Sequence, residues 1–142
     1  MLDISAFPTE PKADDWGFVF AGRNAVTSLR GQPGLPWRIS EVTEQWGVDE
    51  SDAVPMGHWQ DRGAWAFSVP ENSINQTEQL SGNLYGLLGR VEESLFHAHG
   101  RAYQLLYWRD THRHCGRCGS LTRVIEDGRA VLCDSCSLRV YP

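Results

Sequence analysis

Lysine is nearly absent from this chain. Lys12 is the one lysine among 142 residues, which excludes a lysine-rich arm for nucleic acid. No apolar run is long enough to span a bilayer. The opening Met-Leu-Asp-Ile-Ser lacks both the basic start and the apolar stretch of a secretory signal. These absences predict a cytoplasmic protein with no membrane association. They also disfavour a disulfide framework, which needs an oxidising compartment. Cysteine is confined to four residues, all beyond position 114.

Those four form two Cys-x-x-Cys pairs. Cys115 and Cys118 bracket Gly116-Arg117, Cys133 and Cys136 bracket Asp134-Ser135, and fourteen residues separate the pairs. Each pair forms a tight knuckle that aims two sulfurs at one ion, and two knuckles complete a tetrahedron, so the spacing predicts zinc. Thioredoxin-like redox chemistry would instead place a single pair at a strand-to-helix junction of a βαβ unit. Four thiolates close the coordination shell and leave no position for water or substrate. The expected zinc is therefore structural, with Cys115, Cys118, Cys133 and Cys136 as its ligands and no catalytic residue among them.

A hydrophobic content of 41% with six tryptophans argues for a real core rather than a disordered chain. The net charge of −5 is unevenly spread. Residues 1–96 hold six Lys/Arg against fourteen Asp/Glu, whereas 97–142 hold seven arginines against four acids. The favoured explanation is that these arginines solvate a helix and offset the −2 charge of a zinc tetrathiolate. The alternative is a phosphate-facing surface built by Arg101, Arg109, Arg113, Arg117, Arg123 and Arg129, whose affinity for RNA or DNA would fall steeply with salt.

Along the chain, the first fifteen residues carry prolines and acids and predict a loose start. Strands are expected at Trp16–Phe20, near Ala25–Leu29 and at Trp37–Ile39, then a hairpin of Met56–Gln60 and Ala64–Val69 around Asp61-Arg62-Gly63. In its second arm, Trp65, Phe67 and Val69 alternate with Ala64, Ala66 and Ser68, which predicts one large-residue face. Trp59, Trp65 and Phe67 are expected in the core. Residues 71–79 form a polar stretch. Then Leu84, Leu87, Leu88, Val91, Leu95, Ala98, Ala102, Leu105 and Leu106 recur at steps of three and four, predicting helix over much of 84–112 with a break near Gly100. Val124–Glu126 and Ala130–Leu132 predict a ribbon hairpin around Asp127-Gly128. His112 and His114 adjoin the first cysteine, and their default role is at the helix C-terminus, where the dipole favours them.

The run from Gly100 through Asp110-Thr-His-Arg-His-Cys-Gly-Arg-Cys-Gly119 resembles the helix-to-ribbon junction of NADH pyrophosphatases, a branch of the Nudix hydrolases. Leu132-Cys-Asp-Ser-Cys136 and Val140-Tyr-Pro142 are similar to that family's ribbon exit. Val54–Phe67 and Trp16–Phe20 are similar to its N-terminal hairpin and early strand. The resemblance implies an α+β fold, with an N-terminal domain at 1–96 and a helix plus zinc ribbon at 97–142. It also implies a parent reaction that cleaves the NAD(H) pyrophosphate to nicotinamide mononucleotide and AMP, with NAD-cap removal from RNA in some members. Tyr141 matches a substrate-site tyrosine, and a homodimer is the family's usual assembly. The family's catalytic Mg²⁺ or Mn²⁺ sits in a Nudix domain beyond the Tyr-Pro. Its clustered glutamates find no counterpart here, since Glu92-Glu93 is the only adjacent pair and no Arg-Glu precedes it. The expectation is a non-catalytic portion that binds zinc and supports dimerisation or the substrate site. The competing expectations are a free-standing zinc-ribbon module for RNA, DNA or a protein partner, and a scaffold that dimerises through the leucine-rich helix.

Overall fold

A computed structural model describes residues 1–142. Strand β1 (Trp16–Ala21) lies at the centre of a six-stranded sheet. It pairs antiparallel with β2 (Asn24–Ser28), and at its start with the short β3 (Trp37–Arg38). On its other edge it runs parallel to β5 (Arg62–Val69), which forms a hairpin with β4 (Val54–Trp59). Gln60 and Asp61 make the hairpin turn with positive φ at both positions, the geometry that matches strand twist. The turn therefore precedes the Asp61–Gly63 centre expected from the sequence.

Strand alternation sends two sets of side chains to opposite faces. Val19, Val26, Trp65, Phe67 and Val69 meet Trp37 and helix α1 (Ile39–Trp46) through Ile39 and Val42. Phe18, Phe20, Val54, Met56 and Trp59 meet the second face's helices, α2 (Leu84–Leu87) and α3 (Glu93–Thr111). On that face β5 presents only Ala64 and Ala66, opposite Ala98 and Ala102 of α3. Small residues on both sides let the long helix lie close to the sheet, while the large β5 residues fill the other layer. The alternation read from the sequence is thus correct, and Trp59, Trp65 and Phe67 are all buried. Each fully buried large apolar side chain contributes roughly 1.5–3 kcal/mol.

Two expectations need correction, and one strand was not foreseen. The helical pattern breaks between Leu88 and Glu92, not near Gly100. The Glu92 carboxylate caps α3 by accepting from the Ser94 amide at 3.3 Å, and Asn83 caps α2 by accepting from the Gly86 amide at 2.8 Å. Gly100 sits inside α3, where burial of Ala98, His99 and Ala102 outweighs its helix penalty of about 1 kcal/mol. The polar stretch ends in a strand, β6 (Gln79–Gly82), which extends the sheet beside β2. As a largely polar edge strand, it lacks the alternation that reveals the others. The first fifteen residues are not loose throughout. Asp3 and His58 exchange backbone hydrogen bonds of 2.8 Å, and buried Asp15 accepts from the Trp65 indole at 3.1 Å. No helix is long and apolar enough to cross a membrane.

Candidate metal centre

Beyond α3 the chain forms a three-stranded antiparallel ribbon, β7 (Thr122–Ile125), β8 (Ala130–Cys133) and β9 (Arg139–Val140). The ribbon is fastened to the helix end by Thr122, whose hydroxyl donates to the His112 carbonyl at 2.6 Å and whose amide donates to the Arg113 carbonyl at 3.0 Å. Its tip docks on the sheet. Arg109 of α3 donates to the Gly128 carbonyl at 2.7 Å, and Gly128 lies so close to Pro55 of β4 that a Cβ there would come within 2.8 Å of the proline ring. Burial is the main influence holding the Arg109 guanidinium below its ordinary pKa, with the nearby Arg113 charge adding to it and Asp52 opposing.

The two cysteine pairs fold into matching knuckles. Cys115 donates its amide to the Ser120 carbonyl at 2.7 Å, and the Gly119 amide returns to the Cys115 carbonyl at 2.9 Å. The second knuckle repeats this, Cys133 to Leu138 at 2.9 Å and Ser137 to Cys133 at 2.8 Å. Both need a left-handed residue four positions after the first cysteine. Gly119 supplies it at φ +80° without a Cβ clash, whereas Ser137 adopts φ +64° against its Cβ.

The four sulfurs lie within 4.8 Å of one another. Across the knuckles the sulfurs lie 3.5 Å apart for Cys115 and Cys136 and 3.4 Å apart for Cys118 and Cys133. Tetrahedral zinc with bonds of about 2.3 Å places its sulfurs about 3.8 Å apart, so the donor set and its size suit one zinc ion. All four cysteines are free thiols, and Cys115 and Cys133 are buried.

The ring of backbone donors favours thiolate at two positions. Ser120, through its side chain and then its amide, holds the Cys118 thiol down at about 6, with Cys133 adding to it. Amides of Cys118 and Arg117 lower Cys115, and the Arg117 amide lies 3.3 Å from its sulfur. Cys136 goes the other way, to about 11. The Leu138 amide favours its thiolate, but Cys115, burial, Cys133 and Cys118 together outweigh it. A divalent cation reverses that balance by neutralising the crowded sulfurs, and its binding releases protons.

The histidines stand outside the cluster. His112 caps α3, its Nδ1 2.7 Å from the Trp108 carbonyl and its ring stacked on Trp108 at 5.3 Å. His114 forms an isolated backbone bridge with Leu121. The only group of three or more His, Cys, Asp or Glu side chains close enough to share an ion is the cysteine cluster. Tyr141 leaves the ribbon half-exposed, its hydroxyl bonded to the Glu126 carboxylate. That carboxylate also pairs with Arg139 at 3.4 Å, and Tyr141 first, then Glu126, raise the Arg139 pKa. The sequence marks Arg109 and Gly128 only as a surface arginine and part of a hairpin turn, and Thr122 not at all; their role in setting the ribbon against the helix and sheet comes from contacts that no local pattern encodes.

Several arginines proposed for a nucleic-acid surface are engaged within the chain. Arg113 pairs with Asp110 at 3.2 Å, Arg123 grips Asp134 with contacts of 2.8 and 3.1 Å, and Arg109 is committed to Gly128. This supports the view that they are structural partners rather than a free phosphate-binding stripe.

Comparison with known proteins agrees with this geometry. Residues 110–141 match the family model of the NADH pyrophosphatase zinc ribbon domain. The chain is 31% identical over 129 residues to "NAD-capped RNA hydrolase NudC" of Haemophilus influenzae (strain PittGG), covering 91% of this chain and 46% of that protein. It is 36% identical over 103 residues to the protein of the same name from Actinobacillus succinogenes, covering 71% and 37%. With that of Photorhabdus laumondii it shares 29% over 127 residues, covering 88% and 44%. The chain thus spans about half or less of the length of these relatives. It carries the zinc ribbon of the NADH pyrophosphatase family, and through most of its length it is related to the N-terminal and ribbon region of NudC-type proteins.

Proposed function

We propose that this chain is the zinc-stabilised, non-catalytic portion of an NAD(H)-diphosphatase or NAD-capped-RNA hydrolase. In this role Cys115, Cys118, Cys133 and Cys136 hold one structural zinc, which fixes the ribbon and carries Tyr141 to the edge of a substrate site. The observation that carries the proposal is the four-thiolate cluster within a ribbon whose relatives bear the name of an NAD-capped RNA hydrolase. Metal-assisted attack of water on a pyrophosphate needs carboxylates clustered around Mg²⁺ or Mn²⁺. The proposal assigns those carboxylates to residues outside 1–142. Homodimerisation, location in the cytoplasm and the division at residues 96 and 97 belong to the same proposal.

The test is the purified chain incubated with NADH or NAD-capped RNA and Mg²⁺ or Mn²⁺. The expected result is no hydrolysis above background, with about one zinc per chain by elemental analysis. Turnover at enzymic rates would overturn the assignment of catalysis to residues elsewhere. Sedimentation checks assembly, with a dimer expected, and a strict monomer at high concentration would remove that part.

A further inference from the structure

The four cysteines differ in how far solvent reaches them. Cys118 is exposed, Cys136 is half-buried, and Cys115 and Cys133 are buried, Cys133 completely. Yet the exposed sulfur and the most deeply buried one are neighbours, 3.4 Å apart across the two knuckles. Cys118 closes the first knuckle, and Cys133 ends β8 with Thr122 of β7 as its strand partner. Cys136 lies beyond β8, in the loop leading to β9, and its sulfur is 3.5 Å from that of Cys115.

Zinc keeps its cysteine ligands as thiolates, the form that attacks peroxides, so exposure decides which sulfur an oxidant meets first. Cys118 is the most open of the four. A thiolate oxidised to sulfenic acid is then attacked by another thiolate within reach. Cys133 lies within reach and is itself shielded from the oxidant.

We propose that Cys118 and Cys133 form a peroxide-sensitive switch that releases zinc from the ribbon. The Cys118 sulfur attacks one oxygen of a hydroperoxide and breaks the O–O bond, giving sulfenic acid at Cys118 and a departing hydroxide or alkoxide. The Cys133 sulfur then attacks the Cys118 sulfur, forming the S–S bond and expelling the second oxygen as hydroxide. Two protons from solvent convert these leaving groups to water or alcohol. The two thiolates together lose two electrons, and the peroxide gains them. Structural sites hold zinc with four ligands, so Cys115 and Cys136 alone do not retain it. The disulfide pins the first knuckle to the end of β8, whereas Cys136 loses its tie. Strands β7 and β8 therefore stay paired while the second knuckle and β9 loosen. The switch rests on the cysteines holding zinc and not on the hydrolase assignment.

Hydrogen peroxide added to the reduced, zinc-loaded full chain tests this. Zinc release is followed with a metallochromic dye, thiols are counted, and disulfides are mapped by peptide mass spectrometry. The expected result is about one zinc released for every two thiols lost, with Cys118 joined to Cys133, and zinc rebinding after treatment with a dithiol. Hydrogen exchange should show β9 losing protection while β7 and β8 keep theirs, and equal loss in all three strands would overturn the pinning of the first knuckle. Cys118→His, which keeps a zinc ligand at that position, should slow release at least tenfold. If that variant binds no zinc, the disulfide map of the unsubstituted chain decides. Zinc retained under excess peroxide overturns the proposal, as does a map joining Cys118 to Cys115, or sulfinic acid at Cys118 that a dithiol does not reduce. Unchanged release from zinc-loaded Cys118→His overturns it too. Elemental analysis before oxidation separates the two claims. A chain without zinc removes the zinc assignment and the switch together, whereas bound zinc that peroxide does not release removes the switch alone.

Discussion

The sheet domain packs apolar side chains on both faces of β1 and β5, with thirteen buried residues in one cluster and ten in the other. The ribbon after α3 buries only Cys115, Ala130, Val131 and Cys133. So small an apolar core cannot hold the ribbon by burial alone. A structural zinc, with an apparent binding free energy of ~10–16 kcal/mol, is a source of stability that the sheet domain does not use. The difference teaches that one chain uses two independent sources of stability. They are joined by the continuous α3 and by the docking of Gly128 against Pro55.

The strongest break in this comparison removes the metal. Cys133→Ser, or an excess of chelator, is expected to abolish stoichiometric zinc and hydrogen-exchange protection across β7–β9 while β1 and β5 stay protected. Loss of protection in both regions together would show that the ribbon is not a separate unit. Next in size is a cavity in the sheet domain. Phe18 is fully buried, edge-on to Trp59 and His99, and Phe18→Ala should cost about 3–5 kcal/mol by urea denaturation. The purified variant should still bind one zinc.

The regions also differ in how acid reaches them. In the sheet domain, burial lowers the pKa of His99, and a smaller opposing effect comes from the Gly34 carbonyl 2.7 Å from its Nε2. Native His99 therefore stays neutral while the unfolded chain takes up a proton below about pH 6.5, so the unfolded state binds more protons. Stability should be level above that pH and fall as pH drops below it. His99→Phe should flatten this acid limb while lowering stability at pH 8, because it leaves the Gly34 carbonyl unpaired. An unchanged slope in denaturation curves from pH 8 to pH 5 would remove His99 as the cause. The smallest effect lies within the ribbon. Ser137→Gly, which matches the second knuckle to Gly119 of the first, should raise ribbon stability by up to ~1 kcal/mol without changing zinc stoichiometry. Competition with a zinc chelator measures it, and weaker zinc retention would show that the serine side chain contributes more than its strain.

Legibility followed the same division. The β5 alternation and the cysteine spacing act over a few residues, and the structure shows the buried large-residue face and the gathered sulfurs that they predict. Strand β6 was hidden because an edge strand with polar faces has no periodic signature. The helix break was misplaced because Gly100 lies against nothing that needs its small size, whereas the caps at Asn83 and Glu92 set the boundaries. The anchoring of Asp3 to His58 depends on partners more than fifty residues apart.

The sequence by itself determined the metal chemistry, because each Cys-x-x-Cys knuckle closes through hydrogen bonds spanning no more than five residues. It also determined which faces of β1 and β5 are apolar, since strand geometry alternates side chains without reference to the rest of the fold. Only the tertiary structure decided what the arginines hold: Arg109 reaches the Gly128 carbonyl, and Gly128 meets Pro55, because long-range packing brings α3, the ribbon tip and β4 together. No local spacing encodes that meeting.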